Sequence, residues 1–140
     1  MTREIKFRGK DILTDKWVYG DLLHLGNACA IVTSYEEEEL EVNPISDSLE
    51  FRVEDIAGVY PETAGQFTGL LDKNGKEIYE GDVVIFDNHL QGISQVVYDY
   101  AGFDVDSKNY RTALRPTMKN HIRVVGNIYD NPELLKGGAE

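Results

Sequence analysis

The stretch Val59-Tyr60-Pro61-Glu62-Thr63-Ala64-Gly65-Gln66-Phe67-Thr68-Gly69-Leu70-Leu71-Asp72-Lys73-Asn74-Gly75-Lys76-Glu77-Ile78-Tyr79-Glu80-Gly81-Asp82-Val83-Val84 decides the fold class. Gln66 to Leu71 and Lys76 to Tyr79 read as strands on either side of Asn74-Gly75. That dipeptide suits a type I′ hairpin turn, whose two central residues both need positive φ. Gly81-Asp82 then makes a corner that opens a very apolar strand, Asp82 to Asp87. Downstream, Gly92 to Tyr100, Phe103 to Val105, Tyr110 to Leu114 and Ile122 to Ile128 follow in quick succession. Turn residues Asn88, Gly92, Gly102, Ser107 and Pro116 separate them at the spacing of a small antiparallel barrel or sandwich.

Upstream the period is also two. Ile5 and Phe7 alternate with Glu4, Lys6 and Arg8, and Trp17 to Leu23 should pair with that first strand across a polar turn. Ala28 to Thr33 is a short apolar, β-branched run, and Leu40 and Val42 alternate with Glu39 and Glu41 before Asn43-Pro44 stops them. Across Val53-Glu54-Asp55-Ile56-Ala57 the alternation weakens, and a short helix or turn is expected. At the end of the chain, Asn131-Pro132-Glu133-Leu134-Leu135 offers a cap, a proline at the first helical position and an acid in the first turn, with Gly137 as a stop. One short helix is expected there, laying Leu134 and Leu135 on the strands. Tyr19-Gly20-Asp21 faintly echoes Tyr79-Glu80-Gly81-Asp82, for which independent use of Gly-Asp at a bend is favoured over duplication.

The fold class expected is therefore mainly β. An antiparallel lobe over residues 1–62 is followed by a barrel-like lobe with a C-terminal helix over 63–140. The Gly81-Asp82-Val83-Val84-Ile85 corner with further strands after it resembles the opening of SH3-like barrels, a likeness of fold that carries no function.

At 140 residues the chain can bury one ordinary core. Cys29 is its sole cysteine, so no intrachain disulfide forms, and Ala28-Cys29-Ala30-Ile31-Val32 reads as an inert buried thiol. The N-terminus lacks a hydrophobic signal core, and no window approaches the roughly 18 apolar residues of a membrane span. A soluble cytoplasmic protein is expected, with no membrane partner.

Net charge is −11, spread unevenly. Residues 1–65 carry 6 basic and 14 acidic side chains, whereas 66–140 carry 8 and 11. Glu36, Glu37, Glu38 and Glu39, with Glu41, form an acidic run. Lys108, Arg111, Arg115, Lys119 and Arg123 form a basic island with no acid between Ser107 and Tyr129. Solvated loops account for both features, and complementary binding surfaces are the sharper alternative.

No reaction is legible. His24, His89 and His121 are far apart and none has metal-ligand spacing with Cys or a second His, so no metal and no cofactor are expected. Neither a Gly-x-Ser-x-Gly elbow nor a phosphate-binding loop is present; Gly65-Gln66-Phe67-Thr68-Gly69 lacks the lysine and the following helix. Glu62, Thr63, Gln66 and Thr68 are the best-placed polar candidates. A carboxylate pair of the glycosidase kind would need Glu62 to face a second acid. The simpler reading is structural, with Pro61 fixing a bend, Glu62 and Thr63 bonding nearby amides, and Gly65 and Gly69 allowing close crossing. Tyr19, Tyr60, Tyr79, Tyr98 and Tyr129 sit at strand ends or on period-two faces and read as the rim of a core rather than a base-stacking platform.

Three blocks in order resemble a known family. They are Arg3-Glu4-Ile5-Lys6-Phe7-Arg8 with Trp17-Val18-Tyr19-Gly20-Asp21; Pro61 to Leu70 running into Asp72 to Asp82; and Val125-Gly126-Asn127-Ile128-Tyr129-Asp130-Asn131-Pro132-Glu133-Leu134-Leu135. Together they resemble the YopX-like proteins of bacteriophages and prophages. The resemblance implies a mainly β phage or prophage protein with no established activity, and it brings no catalytic residues. Its signature positions, Pro61, Glu62, Thr63, Gly65, Thr68, Gly69, Asn74, Gly75, Gly81 and Asp82, are expected to be structural. Glu36 to Asp55 and the basic island match no motif of that family.

The expectation for function is a non-enzymatic binding or assembly protein that forms a homo-oligomer, with room for a phage or host protein partner. The alternatives are a small nucleic-acid-binding barrel using the basic island, which the surrounding acidity disfavours, and an acidic decoy that binds a host protein.

Overall fold

Strands make up nearly all the regular structure, as the two-residue periodicity predicts. The computed structural model describes residues 4–35, 41–42, 49–50, 53–87, 92–99, 101–108 and 110–137. The chain divides into two units, Lys6–Ala64, and Gly65–Glu140 with the N-terminus through Ile5.

In the unit of residues 6–64 the strands are β1 (Phe7–Lys10), β2 (Trp17–Leu25), β3 (Ala28–Tyr35), β4 (Glu41–Val42), β5 (Leu49–Glu50) and β6 (Val53–Val59). The neighbours run β6-β3-β2-β1, and β4 pairs with β5. β2 serves two partners: Trp17 to Gly20 pair with β1, and Asp21 to Leu25 pair with β3. Cys29, Ile31 and Val59 are buried, with Phe7, Val18 and Leu22 packed on them. Cys29 is thus a core residue, as its apolar context predicts. After β1 the chain returns to β6. Asp11 bridges to Val59, and Ile12 N–H donates to the Gly58 carbonyl at 3.0 Å. Gly9 permits this approach, since a Cβ there would stand 2.8 Å from Val59 Cγ2.

Two expectations change here. Val53–Val59 is a strand, not a helix or turn. Its partner β3 supplies the deciding interaction, since pairing from Cys29↔Val59 to Tyr35↔Val53 outweighs the weak local pattern of Glu54-Asp55. The first strand begins at Phe7 and leaves Ile5 47% exposed, while Arg8, expected to point outward, is buried. Its guanidinium lies 4.7 Å from the Trp17 ring centroid, a cation–π contact that lets a charged residue sit inside.

In the second unit, β7 (Gly65–Leu71) and β8 (Glu77–Tyr79) form the expected hairpin. β9 (Asp82–Phe86), β10 (Ile93–Asp99), β11 (Gly102–Asp106), β12 (Arg111–Ala113) and β13 (Ile122–Asn127) form an antiparallel sheet in the order β12-β11-β10-β9-β13. A four-strand meander whose fifth strand returns beside the first is compatible with the expected SH3-like barrel. Among the described residues the pairings form an open ladder with β12 and β13 outermost. Ile78, Val84, Phe86, Val96, Val105 and Ile122 are the buried core.

The hairpin turn is real but of another type. Gly75 alone has positive φ, +82°, whereas type I′ needs it at Asn74 as well. Gly75 N–H donates to the Asp72 carbonyl at 3.0 Å and Asp72 N–H to the Lys76 carbonyl at 2.7 Å. This is a type I turn over Asp72 to Gly75 closed by a glycine bulge. A Cβ at Gly75 would meet open space, so backbone strain alone decides a substitution there. Gly75→Val should destabilise by about 1–3 kcal/mol, read as a lowered midpoint of thermal unfolding.

The chain ends in α1 (Glu133–Gly137). Leu134 packs over Gly126, where a Cβ would lie 2.9 Å from Leu134 Cδ1 and 2.5 Å from Asn131 Oδ1. Asn131 does not act as the simple forward cap that its position suggests. Its side-chain oxygen reaches back to the Asn127 N–H at 3.3 Å, while its carbonyl accepts from Leu134 at 3.1 Å.

Candidate functional site

The signature residues are placed by local turns, and the side chains of Thr63, Thr68 and Asp82 are engaged with backbone, whereas among the described residues the expected bond between Glu62 and a nearby amide is not seen. Pro61–Thr63 forms a short 3-10 turn between β6 and β7. Within it Thr63, 5% exposed, donates its hydroxyl to the Tyr60 carbonyl at 2.6 Å and accepts the Lys10 N–H at 2.9 Å. Thr68 donates to the Ile78 carbonyl at 2.8 Å, across the hairpin. Gly65 passes the Glu80 carbonyl so closely that a Cβ would come within 2.6 Å of its oxygen. Gly69 lies where the β7–β8 register shifts. Gly81 donates to Val96 and accepts from Ile128, joining the corner to β10 and to the end of β13. Buried Asp82 accepts the Tyr79 N–H at 2.7 Å. Asn74 and Gly75 are exposed in the turn, and Pro61 and Glu62 are exposed as well.

Asp72 was not singled out from the sequence, yet it is the most demanding polar residue here. It is 1% exposed, and its carboxylate accepts three backbone N–H groups: Asn74 at 2.8 Å, Lys76 at 2.9 Å and Val124 at 2.9 Å. Two of these close its own turn. The third fastens that turn to β13, helped by Lys73 N–H donating to the Ile122 carbonyl at 3.0 Å. Burial alone would raise the carboxyl pKa, but the bonds from Val124, Lys76 and Asn74, with the Lys76 charge, together hold it below the usual 3.8. The signal in sequence was an Asx turn, Asp two residues before Asn-Gly. The contact with Val124, 52 residues away, had no sequence signal.

The basic island is exposed but not uniformly basic. Arg111 stands on β12 and Arg123 on β13, the outermost strands, with Arg115 and Lys119 around the 3-10 turn Pro116–Met118 and Lys108 before β12. Arg111 is held by Asp104 at 2.9 Å and Asp99 at 3.2 Å. The hydrogen bond it donates to Asp104, above all, raises its pKa further. Antiparallel pairing brings these acids across from β10 and β11, which a local count of charge could not show. Asp87 likewise has its pKa lowered, first by a hydrogen bond from Lys73 at 2.8 Å, then by Lys73, His121 and Arg123 charges. The acidic candidates Glu36, Glu37, Glu38 and Glu39 lie outside the described residues.

Among the described residues no group of three His, Cys, Asp or Glu could hold a metal ion. No helix among them is long and apolar enough to cross a membrane.

Comparison with known proteins fits this picture. The family model described as "YopX protein" matches residues 6–136 and so places nearly the whole chain in that family. No curated protein matches the sequence. A crystal structure of protein EF1440 from Enterococcus faecalis is similar in fold, at 25% sequence identity and a TM-score of 0.66. The likeness covers 96% of this chain and 99% of that one.

Proposed function

We propose that this chain, which belongs to the YopX family, is a non-enzymatic binding and assembly protein of a phage or prophage, acting as a homo-oligomer in the cytoplasm of the bacterial host. The observation that carries this reading is the use to which polar residues are put. The buried ones in and beside the signature, Thr63, Asp82 and the neighbouring Asp72, each accept backbone N–H groups and so fasten the local backbone. Charge is also segregated along the sequence. Residues 6–64 carry 13 acidic against 5 basic side chains, whereas the run from Lys108 to Arg123 carries no acid. Segregated charge steers encounter and orientation, while an apolar contact supplies most of the affinity.

Light scattering across protein concentration and salt tests this reading. The expected result is a mass above that of the 15.8 kDa chain, increasing with concentration and decreasing with salt. A strict monomer at low salt and high concentration contradicts it.

A nucleic-acid-binding barrel is the second reading, favoured only by the exposed cations. Arg111 is already engaged by two carboxylates, and the net charge of −11 repels a polyanion. Filter retention of duplex and single-stranded DNA at physiological salt should therefore show no binding. Tight binding that is lost on neutralising Arg115 and Arg123 would reverse the ranking, with the steep salt dependence that phosphate contacts bring.

A further inference from the structure

Among the described residues most of the exposed large apolar ones lie in the unit of residues 6–64, and four of them gather on one sheet face. Residues paired directly across antiparallel strands share a side of the sheet. The pairs Leu23↔Ala30, Leu25↔Ala28, Val32↔Ile56 and Ala30↔Gly58 therefore define one side of β2, β3 and β6, together with Asp21 opposite Val32. The other side carries Leu22 and Ile31 of the buried cluster. On the outer side Ala30 and Gly58 make a low floor. Leu23 and Leu25 stand along β2, Ile56 stands on β6, and Ile12 Cδ1 lies 3.8 Å from where a Gly58 Cβ would be. Leu25 is 63% exposed, Ile56 54%, Ile12 48% and Leu23 38%. A shallow apolar trough with an aspartate in it is thus open to solvent, and contiguous exposed apolar surface of this kind marks an interaction site.

We propose that this trough docks the basic segment Lys108–Arg123 of a second copy of the chain, a contact that rests on the assembly reading above and gives it a location. Charge selects the occupant. Asp21 lies within the face, and the unit that carries it has 13 acidic and 5 basic residues in its sequence, so two copies meeting trough to trough would bring like net charge together. The segment from Lys108 to Arg123 is the complement, with exposed Arg115, Lys119 and Arg123 and with Tyr110 51% exposed as an apolar anchor. A trough on one copy and a strip on another make a heterologous contact. Its repetition closes into a ring or continues as a filament, according to the rotation between copies.

Exchanging the charges tests the pairing. One variant carries Asp21→Lys with Leu25→Lys, making the trough basic; the other carries Arg115→Glu with Arg123→Glu, making the strip acidic. All four positions are exposed, and unchanged circular dichroism and melting would confirm folding. Each variant alone should self-associate at least about tenfold more weakly than the wild type by light scattering, and an equimolar mixture should recover association. Wild-type association that persists in both variants leaves assembly standing and removes this contact. Loss in both without recovery on mixing also overturns the pairing. A monomeric wild type overturns the pairing and the assembly reading together.

Discussion

Replacing Asp72 by alanine should lower the free energy of unfolding by about 4 kcal/mol, because three backbone N–H groups lose a charged acceptor in a buried place. Asn74 and Lys76 can turn to water at the hairpin tip. The amide of Val124 lies within β13 and is less readily compensated. Asp72→Asn keeps the shape and one acceptor oxygen, so it should cost about half as much. The pH dependence has a definite sign. A carboxylate whose folded pKa is depressed contributes stability that is full above its unfolded pKa, near 3.8, and is lost as pH falls through the lower folded value. Wild-type stability should therefore fall with acid below about pH 4 more steeply than that of Asp72→Asn, as followed by denaturant unfolding at a series of pH values. Equal slopes would show that Asp72 is not the group concerned.

Gly20→Ala should be at least as damaging. Gly20 has a φ of +157° in the middle of β2, and a Cβ there would fall on the Val32 carbonyl oxygen, which is backbone and cannot swing away. Relief requires the β2–β3 ladder to separate beside Asp21↔Val32, next to buried Ile31. A loss on the order of 3 kcal/mol or more follows, with thermal unfolding or the yield of folded protein as readout. Gly26→Ala, at an exposed turn with φ +63° and nothing within 4 Å, carries only backbone strain of about 1–2 kcal/mol and is the milder control. An unchanged melting midpoint for Gly20→Ala would mean that β2 is not bent and paired as described.

The strands from Gly65 onward were legible because each is bounded by its own turn chemistry and its periodicity is local. Asp72-Lys73-Asn74-Gly75 announced a reversal, although its type depended on which residue took positive φ, and that was Gly75 alone. β6 was not legible in Val53-Glu54-Asp55-Ile56-Ala57, because a pair of acids interrupts the alternation and pairing with β3 decides the conformation. Arg8 shows the same limit. A charged side chain reads as outward, and the contact of its guanidinium with the Trp17 ring has no signal in the local pattern. For the candidate surfaces, the basic run was visible along the chain. Its partial neutralisation by Asp99 and Asp104 came from strand pairing that no local window contains. The trough escaped for a similar reason. Asp21, Leu23 and Leu25 alternate legibly, but Ile12, Ile56 and Gly58 join them only through the register of β3 and β6.

The account rests on the signature residues being spent on backbone hydrogen bonds instead of chemistry, and native-state hydrogen exchange of individual amides tests that most directly. The amides of Lys10, Lys76, Tyr79 and Val124 donate to the side chains of Thr63, Asp72, Asp82 and Asp72. Those of Lys10, Tyr79 and Val124 should exchange among the slowest in the protein, opening only with large-scale unfolding, Lys76 should exchange more slowly than an unbonded turn amide, and Val124 should lose its protection in Asp72→Asn. Exchange of these four amides at the rate of exposed turns would contradict the account, for the polar signature would then be free for another role.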